Sequence, residues 1–134
     1  MAYLTDSIRD ILRVPKNIVV TMHRDPDADA IGSSLGWAAF LEKIGHKVTV
    51  ISPTEVPGNL TWLGRGSEVL NFEDRKAGRR LCIEAIDAAD LICCLDFSAM
   101  GRLKDMASFI SRSKTPVLVI DHHLDPEPFA TLLI

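Results

Sequence analysis

Four short apolar runs recur along the chain, at residues 17–22, 47–52, 91–95 and 116–120, with hardly any polar alternation inside them. Uninterrupted β-branched and aliphatic runs of this length predict strands buried on both faces, the signature of a parallel sheet. The stretches between them carry helical spacing instead. Leu4, Ile8, Ile11 and Leu12 share one face before Val14-Pro15 stops the helix, because the residue ahead of a proline avoids the α region. Residues 28–44 place Ile31, Leu35, Ala38, Leu41 and Ile44 on one side, with Gly45 as the stop signal. Residues 73–88 predict a helix with Leu81, Ile83 and Ile86 inward. Residues 101–113 predict another, with Leu103, Met106, Phe109 and Ile110 inward. Residues 53–66, with two prolines and three glycines, read as loop with one helical turn near residues 59–63, pinned to the body by Trp62 and Leu63. A further strand is expected to begin within residues 129–134. Alternating strands and helices predict an α/β fold: a doubly wound, mainly parallel sheet with helices on both faces and right-handed crossovers.

Two local irregularities stand out against that pattern. Gly32, Ser33, Ser34 and Gly36 slim the start of the 28–44 helix. Each helical glycine costs about 1 kcal/mol relative to alanine, so close approach of the sheet or of a ligand is the expected compensation. Arg75, Lys76, Arg79 and Arg80 form a basic run in the 73–88 segment, which reads as a solvated helix face before it reads as a phosphate site. Arg65 is likewise a solvated arginine before it is an anion contact.

Composition narrows the function. A chain of 134 residues is one ordinary domain, and 47% hydrophobic residues suffice for a core. Fifteen basic residues against 18 acidic ones leave a net charge of −3, so bulk attraction to nucleic acid is excluded. A phosphate-bearing ligand would have to be captured locally, and a metal site in an acidic cluster would do that. The cysteines Cys82, Cys93 and Cys94 are odd in number and form no CxxC. Together with the lack of a secretory leader, this predicts a reduced, cytoplasmic setting with Cys93 and Cys94 as small core residues. No apolar run approaches the roughly twenty residues that a membrane span needs, so no membrane partner is expected.

The chemistry concentrates where the strands end. His23, Asp25, Asp27 and Asp29 put one imidazole and three carboxylates into seven residues directly after the first run. Asp96 follows the third run, and Asp121-His122-His123 follows the fourth. In doubly wound sheets ligands bind outside the carboxyl ends of the strands, where these groups converge. Any one of them has an ordinary alternative; Asp27 or Asp29, for instance, suits a helix N-cap. Three clusters at three strand ends argue for a common site. Mixed imidazole and carboxylate donors suit Mn²⁺, Mg²⁺, Fe²⁺ or Zn²⁺, and clustered carboxylates need cations or protons to sit together. Two divalent ions about 3.5–4 Å apart, bridged by one carboxylate, would satisfy that need and prepare a water for attack on a phosphoryl group. The positive end of the 28–44 helix would help to hold Asp27, Asp29 and a phosphate. A dinucleotide-binding oxidoreductase is disfavoured, because no GxGxxG follows the first strand.

The pattern HxxxDxDAxGS (His23, Asp27, Asp29, Ala30, Gly32, Ser33), Asp96 after an apolar strand, and Asp121-His122-His123 resemble the DHH phosphoesterase superfamily. That superfamily includes RecJ exonucleases, family II inorganic pyrophosphatases, exopolyphosphatases, cyclic dinucleotide phosphodiesterases, and the small oligoribonuclease and pAp phosphatases called nano-RNases. The wording of the first motif is most similar to the nano-RNase and exopolyphosphatase-related branch. The resemblance implies that His23 and Asp27 hold one metal, Asp29 and His122 the other, and that Asp96 bridges them. It implies that Asp96, His122 and His123 are the catalytic set, with His123 facing the substrate phosphate and Asp121 orienting a histidine from behind. Asp25 would shape the loop, and Arg24 or Arg102 would contact substrate. Two divalent cations are implied, Mn²⁺ first, with Mg²⁺, Fe²⁺ or Co²⁺ as alternatives. The implied partner is a phosphate-containing small molecule or a short single-stranded oligonucleotide. Hydrolysis of short oligonucleotides or 3′-phosphoadenosine 5′-phosphate is the leading expectation. A cyclic dinucleotide phosphodiesterase or a pyro- or exopolyphosphatase is the alternative, and a non-catalytic nucleotide- or metal-binding module is the reading of another class. Family members also carry a fourth-motif aspartate and a C-terminal substrate-binding domain, and neither is matched here, since Asp125 and Glu127 come too early. The expectation is an N-terminal catalytic domain of a longer protein, weak or inactive alone and prone to form a homodimer.

Overall fold

A computed structural model describes residues 2–62, 66–123 and 126–134, with the side chains of residues 2–5 and 132 left aside. The places proposed for Leu4, Leu63, Arg65 and Asp125 therefore lie outside what is described. The elements in order are α1 (Ala2–Ile11), β1 (Asn17–Thr21), α2 (Ala28–Lys43), β2 (Lys47–Ser52), β3 (Leu70–Asn71), α3 (Gly78–Ala88), β4 (Leu91–Leu95), α4 (Ala107–Arg112), β5 (Val117–Ile120) and β6 (Leu132–Leu133). The strands form one sheet in the order β3-β2-β1-β4-β5-β6, and every neighbouring pair is parallel. The chain leaves β1 in one direction through β2 and β3, then returns to lay β4 on the other side of β1. The strand order therefore reverses between β1 and β4, and the crevice at their carboxyl ends is where such sheets bind ligands.

Alternate residues of each central strand serve two cores, because side chains alternate across a strand. Ile18, Val20 and Met22 of the β1 segment join Leu91, Cys93 and Leu95 of β4 beneath α2. Val19, Ile92 and Cys94 face the opposite way, toward α3 and α4 with Cys82, Ile86, Leu103 and Ile110. The run Leu91–Leu95 is wholly buried for this reason. All three cysteines are free and buried, and burial raises the Cys82 and Cys93 thiols to about 12. They fill space and stay protonated.

Several details differ from the expectations. Helix α3 starts at Gly78, five residues later than the periodicity placed it, because residues 71–77 fold into a turn built on Asp74. The Asp74 carboxylate accepts from the Lys76 and Gly78 amides, and a Cβ at Gly78 would come within 2.1 Å of the Asn71 carbonyl oxygen. Only glycine fits there. Cys82 and not Leu81 points inward, and Leu81 is 36% exposed. The predicted 101–113 helix is a 3₁₀ segment, Met100–Met106, broken at Lys104 (φ 51°, ψ −132°) and followed by α4. Its Leu103, Met106 and Ile110 are buried as the spacing requires. Ile44 is exposed at the end of α2. Beyond the chain neighbours and the helix's own backbone, nothing lies within 4 Å of a Cβ built on Gly32 or Gly36, so close packing on the sheet does not account for them. Trp62 does not pin its loop: it is 73% exposed and its indole N–H donates to the Asn59 carbonyl. Val56 and Leu60 pack that loop onto the core instead. No helix among the described residues is long and apolar enough to cross a membrane.

Candidate metal centre

Strand β1 runs straight into the first donor. His23 is 5% exposed, and its Nδ1 lies 2.7 Å from the Arg24 carbonyl oxygen, which can only accept. Nδ1 therefore carries the proton and Nε2 keeps its lone pair. That lone pair faces Asp96 Oδ2 at 3.6 Å and Asp27 Oδ1 at 3.8 Å, too far for hydrogen bonds. The loop behind it is held from two sides. The Arg24 amide donates to the Arg102 carbonyl at 2.6 Å, and the Asp25 amide donates to Thr54 Oγ1 at 2.8 Å. Asp25 itself sits at φ 50°, a left-handed conformation that aspartate tolerates better than most residues. Asp27 then caps α2, its Oδ1 accepting from the Ala30 amide at 2.9 Å. The capping role weighed against a metal role and the His23-facing position belong to the same carboxylate.

Asp96 lies at the centre. It follows β4 at φ 65° and is 8% exposed. One oxygen faces His23, and the other lies 2.9 Å from His122 Nε2. Two groups of donors therefore form around it: His23, Asp27 and Asp96, and Asp96, Asp121, His122 and His123, each with one ligand atom per residue within 4.8 Å of the others. Asp29 belongs to neither. It lies on the exposed first turn of α2, where Ser33 Oγ approaches it at 3.4 Å.

Strand β5 delivers the remaining pair. The Asp121 side chain is 1% exposed, whereas those of His122 and His123 are 74% and 54% exposed. Asp121 spends its oxygens on the His123 imidazole (Nδ1 at 2.5 Å) and the His123 amide. Burial works to raise the Asp121 pKa, but hydrogen bonds from His123 and Ser98 outweigh it and hold the carboxyl below its usual range. The same bond and the same charge raise His123 above the ordinary histidine value, with the Arg102 guanidinium opposing. His123 can therefore present a proton outward on Nε2. The imidazoles of His122 and His123 lie 4.6 Å apart.

Ser98 and Thr54 carry structural work at this site that the residue pattern did not flag. Both are buried hydroxyls just beyond strand ends, 7% and 2% exposed. The usable signal is a serine or threonine two or three residues past an apolar strand. Glu127 accepts from the Met100 amide at 2.6 Å and so holds the 3₁₀ segment. The fourth histidine, His46, accepts from the Lys16 amide at the opposite edge of the sheet.

Donors that face one another at non-bonding distances, with a tautomer that turns a lone pair inward, suit a divalent cation. The family described as DHH family, N-terminal domain, matches residues 17–134. This chain belongs to the DHH family. Its fold overlays an exopolyphosphatase-related protein from Bacteroides fragilis with a TM-score of 0.94 at 34% identity, covering 100% of this chain and 38% of that one. RecJ from Thermus thermophilus, solved in complex with Mn²⁺, overlays with a TM-score of 0.54 at 18% identity, covering 98% of this chain and 16% of that one. The latter likeness is one of fold. The chain thus spans well under half the length of either relative, and it is placed in a family of phosphoesterases.

Proposed function

We propose that this DHH domain is the metal-holding part of a phosphoesterase that hydrolyses short oligonucleotides or 3′-phosphoadenosine 5′-phosphate. The observation that carries the reading is the shared position of Asp96, one oxygen toward His23 and the other toward His122. In this reading His23 and Asp27 would hold one ion, His122 would hold the second, and Asp96 would touch both; Asp29, outside both donor groups here, would have to turn inward to join the second. Divalent cations bound there, manganese first, would lower the pKa of a coordinated water and neutralise the phosphoryl oxygens. The protein supplies the rest. Asp121 raises the His123 pKa and would orient the imidazole to meet a phosphate oxygen, and Arg24 and Arg102 at the rim offer further cations. A C-terminal domain would grip the remainder of the substrate, in keeping with the larger size of the Bacteroides relative.

A second reading is favoured by that relative's description as exopolyphosphatase-related: cleavage of a phosphoanhydride by the same groups. One experiment separates them. The protein as its gene encodes it is given Mn²⁺ and, in turn, dinucleotide RNA, 3′-phosphoadenosine 5′-phosphate, cyclic di-AMP, pyrophosphate and polyphosphate. Hydrolysis of the first two is expected. Turnover of polyphosphate alone would select the second reading, and hydrolysis of none would defeat both.

A further inference from the structure

Two surface depressions, of 380 and 680 Å³, lie at the amino edge of the sheet against residues such as Asn17, Lys47, Asp90 and Pro116, away from the metal centre. A smaller cavity of 130 Å³ lies at the carboxyl edge, beyond β2 and β3, walled by Pro53 and Phe72 and rimmed by Arg75, Arg79 and Lys104 with Glu73 and Asp105. The basic run that reads as one solvated face is divided here. Arg80 turns away to pair with Glu84 at 3.1 Å, while Arg75 and Arg79 line the cavity.

The cations at this cavity are held but not neutralised. Arg79 is fixed by its Nε, which donates to the Phe72 carbonyl at 3.2 Å, and by stacking over the Phe72 ring at 4.6 Å. Its Nη2 meets Asp105 Oδ2 only at 4.0 Å, and Asp105 is 83% exposed, so that pair is weak. Glu73 is occupied by the Glu55 amide. Arg75 and Lys104 have no ion-pair partner among the described residues, and Lys104 is held at the rim by the left-handed backbone break. Three cations against two carboxylates leave one positive charge in excess, on a protein that is negative as a whole. The first two amides of α3 are already spent on Asp74, Gly78 donating to its carboxylate and Arg79 to its carbonyl. The cavity is tied to the metal centre through both its walls. Pro53 precedes the Thr54 that holds Asp25, and Lys104 follows closely on the Arg102 whose carbonyl holds Arg24.

We infer that this cavity binds a phosphate group, with the Arg79 guanidinium as a preoriented fork and Arg75 and Lys104 as flanking charges. Its use for a second phosphate of the substrate rests on the phosphoesterase reading; its anion binding does not. The test is a titration with inorganic phosphate in EDTA, followed by ¹H–¹⁵N spectra that include the arginine Nε–H. Saturable shifts are expected at Arg79 Nε and at the Lys104 and Asp105 amides. The double variant R75Q/K104Q, at two exposed residues, should weaken the apparent affinity about tenfold, which is 1.4 kcal/mol. Shifts that do not saturate, that chloride at equal ionic strength reproduces, or that R75Q/K104Q leaves unchanged would overturn the inference. So would shifts confined to His122 and His123. In Mn²⁺, R75Q/K104Q should raise KM for 3′-phosphoadenosine 5′-phosphate, which carries two phosphates, while leaving kcat within about twofold. A wild-type protein that hydrolyses nothing but still gives the EDTA-resistant shifts would defeat the phosphoesterase reading and leave the phosphate site standing.

Discussion

The two histidine-bearing strand ends are built on opposite plans. The β1 end is buried and held by backbone: the His23 ring is set by its neighbour's carbonyl, and its loop is clamped by Thr54 and the Arg102 carbonyl. At the β5 end His122 and His123 are exposed, and each depends on one carboxylate, Asp96 or Asp121. The first arrangement presents a lone pair in advance, with little freedom left to lose when an ion binds. The second is open to solvent, and side-chain partners position its imidazoles. One end fixes a donor in advance through backbone contacts, and the other orients its imidazoles through carboxylates.

Asp96 joins the two plans, so its removal should have the largest effect. Asp96→Asn keeps the shape and the tolerance for φ 65° but removes the charge. It should abolish Mn²⁺ binding by calorimetry at both donor groups and reduce turnover below detection, with the melting temperature little changed. Retention of one full-affinity ion would mean that the groups do not share this carboxylate. Thr54→Val is narrower. It removes the acceptor for the Asp25 amide without changing side-chain size and should weaken Mn²⁺ binding about tenfold, the lower end for loss of an outer-shell partner. Thr54→Ser should restore the affinity. An unchanged affinity in Thr54→Val would show that the loop is rigid without its clamp.

The smallest effect belongs to the exposed end. Asp121→Asn should lower the His123 pKa toward the ordinary histidine value, read from the imidazole resonances across pH. The linkage has a definite sign. The raised His123 pKa stabilises the fold fully below the unfolded value of about 6.5 and loses that contribution as pH rises through the folded value. The lowered Asp121 pKa stabilises it above the unfolded value of about 3.9 and loses that contribution as pH falls through the folded value. The pair therefore contributes most between those two limits, and wild type and Asp121→Asn should differ most in melting temperature there. An equal difference at pH 9 would exclude the ion pair as its source.

Much of this was legible in the residues. Strands β2 and β4 coincide with their apolar runs, and β1 and β5 differ by one end residue. Local pattern suffices for that, since burial on both faces of a central strand demands unbroken apolar residues. Helix limits were harder. Residues 73–77 have helical composition but fold as a turn because Asp74 offers the amides a nearer acceptor, a competition periodicity does not register. The residues 100–106 are drawn away from α-helical geometry at a place where the Arg102 carbonyl serves a loop 78 positions earlier.

Sequence alone determined which residues could do chemistry: three motifs, each at the carboxyl end of a strand whose limits the hydrophobic pattern had already drawn. Only the tertiary structure decided how they meet. The placement of β4 beside β1 brings Asp96 to His23, and β5 beside β4 brings His122 to the other oxygen. It also left Asp29 outside both donor groups, set Thr54 and Ser98 behind the loops, and divided the basic run between solvent and a cavity. The reason is physical. Periodicity reports which face of one element is buried, whereas a shared carboxylate depends on strand order and register, which join residues as far apart as 23 and 122.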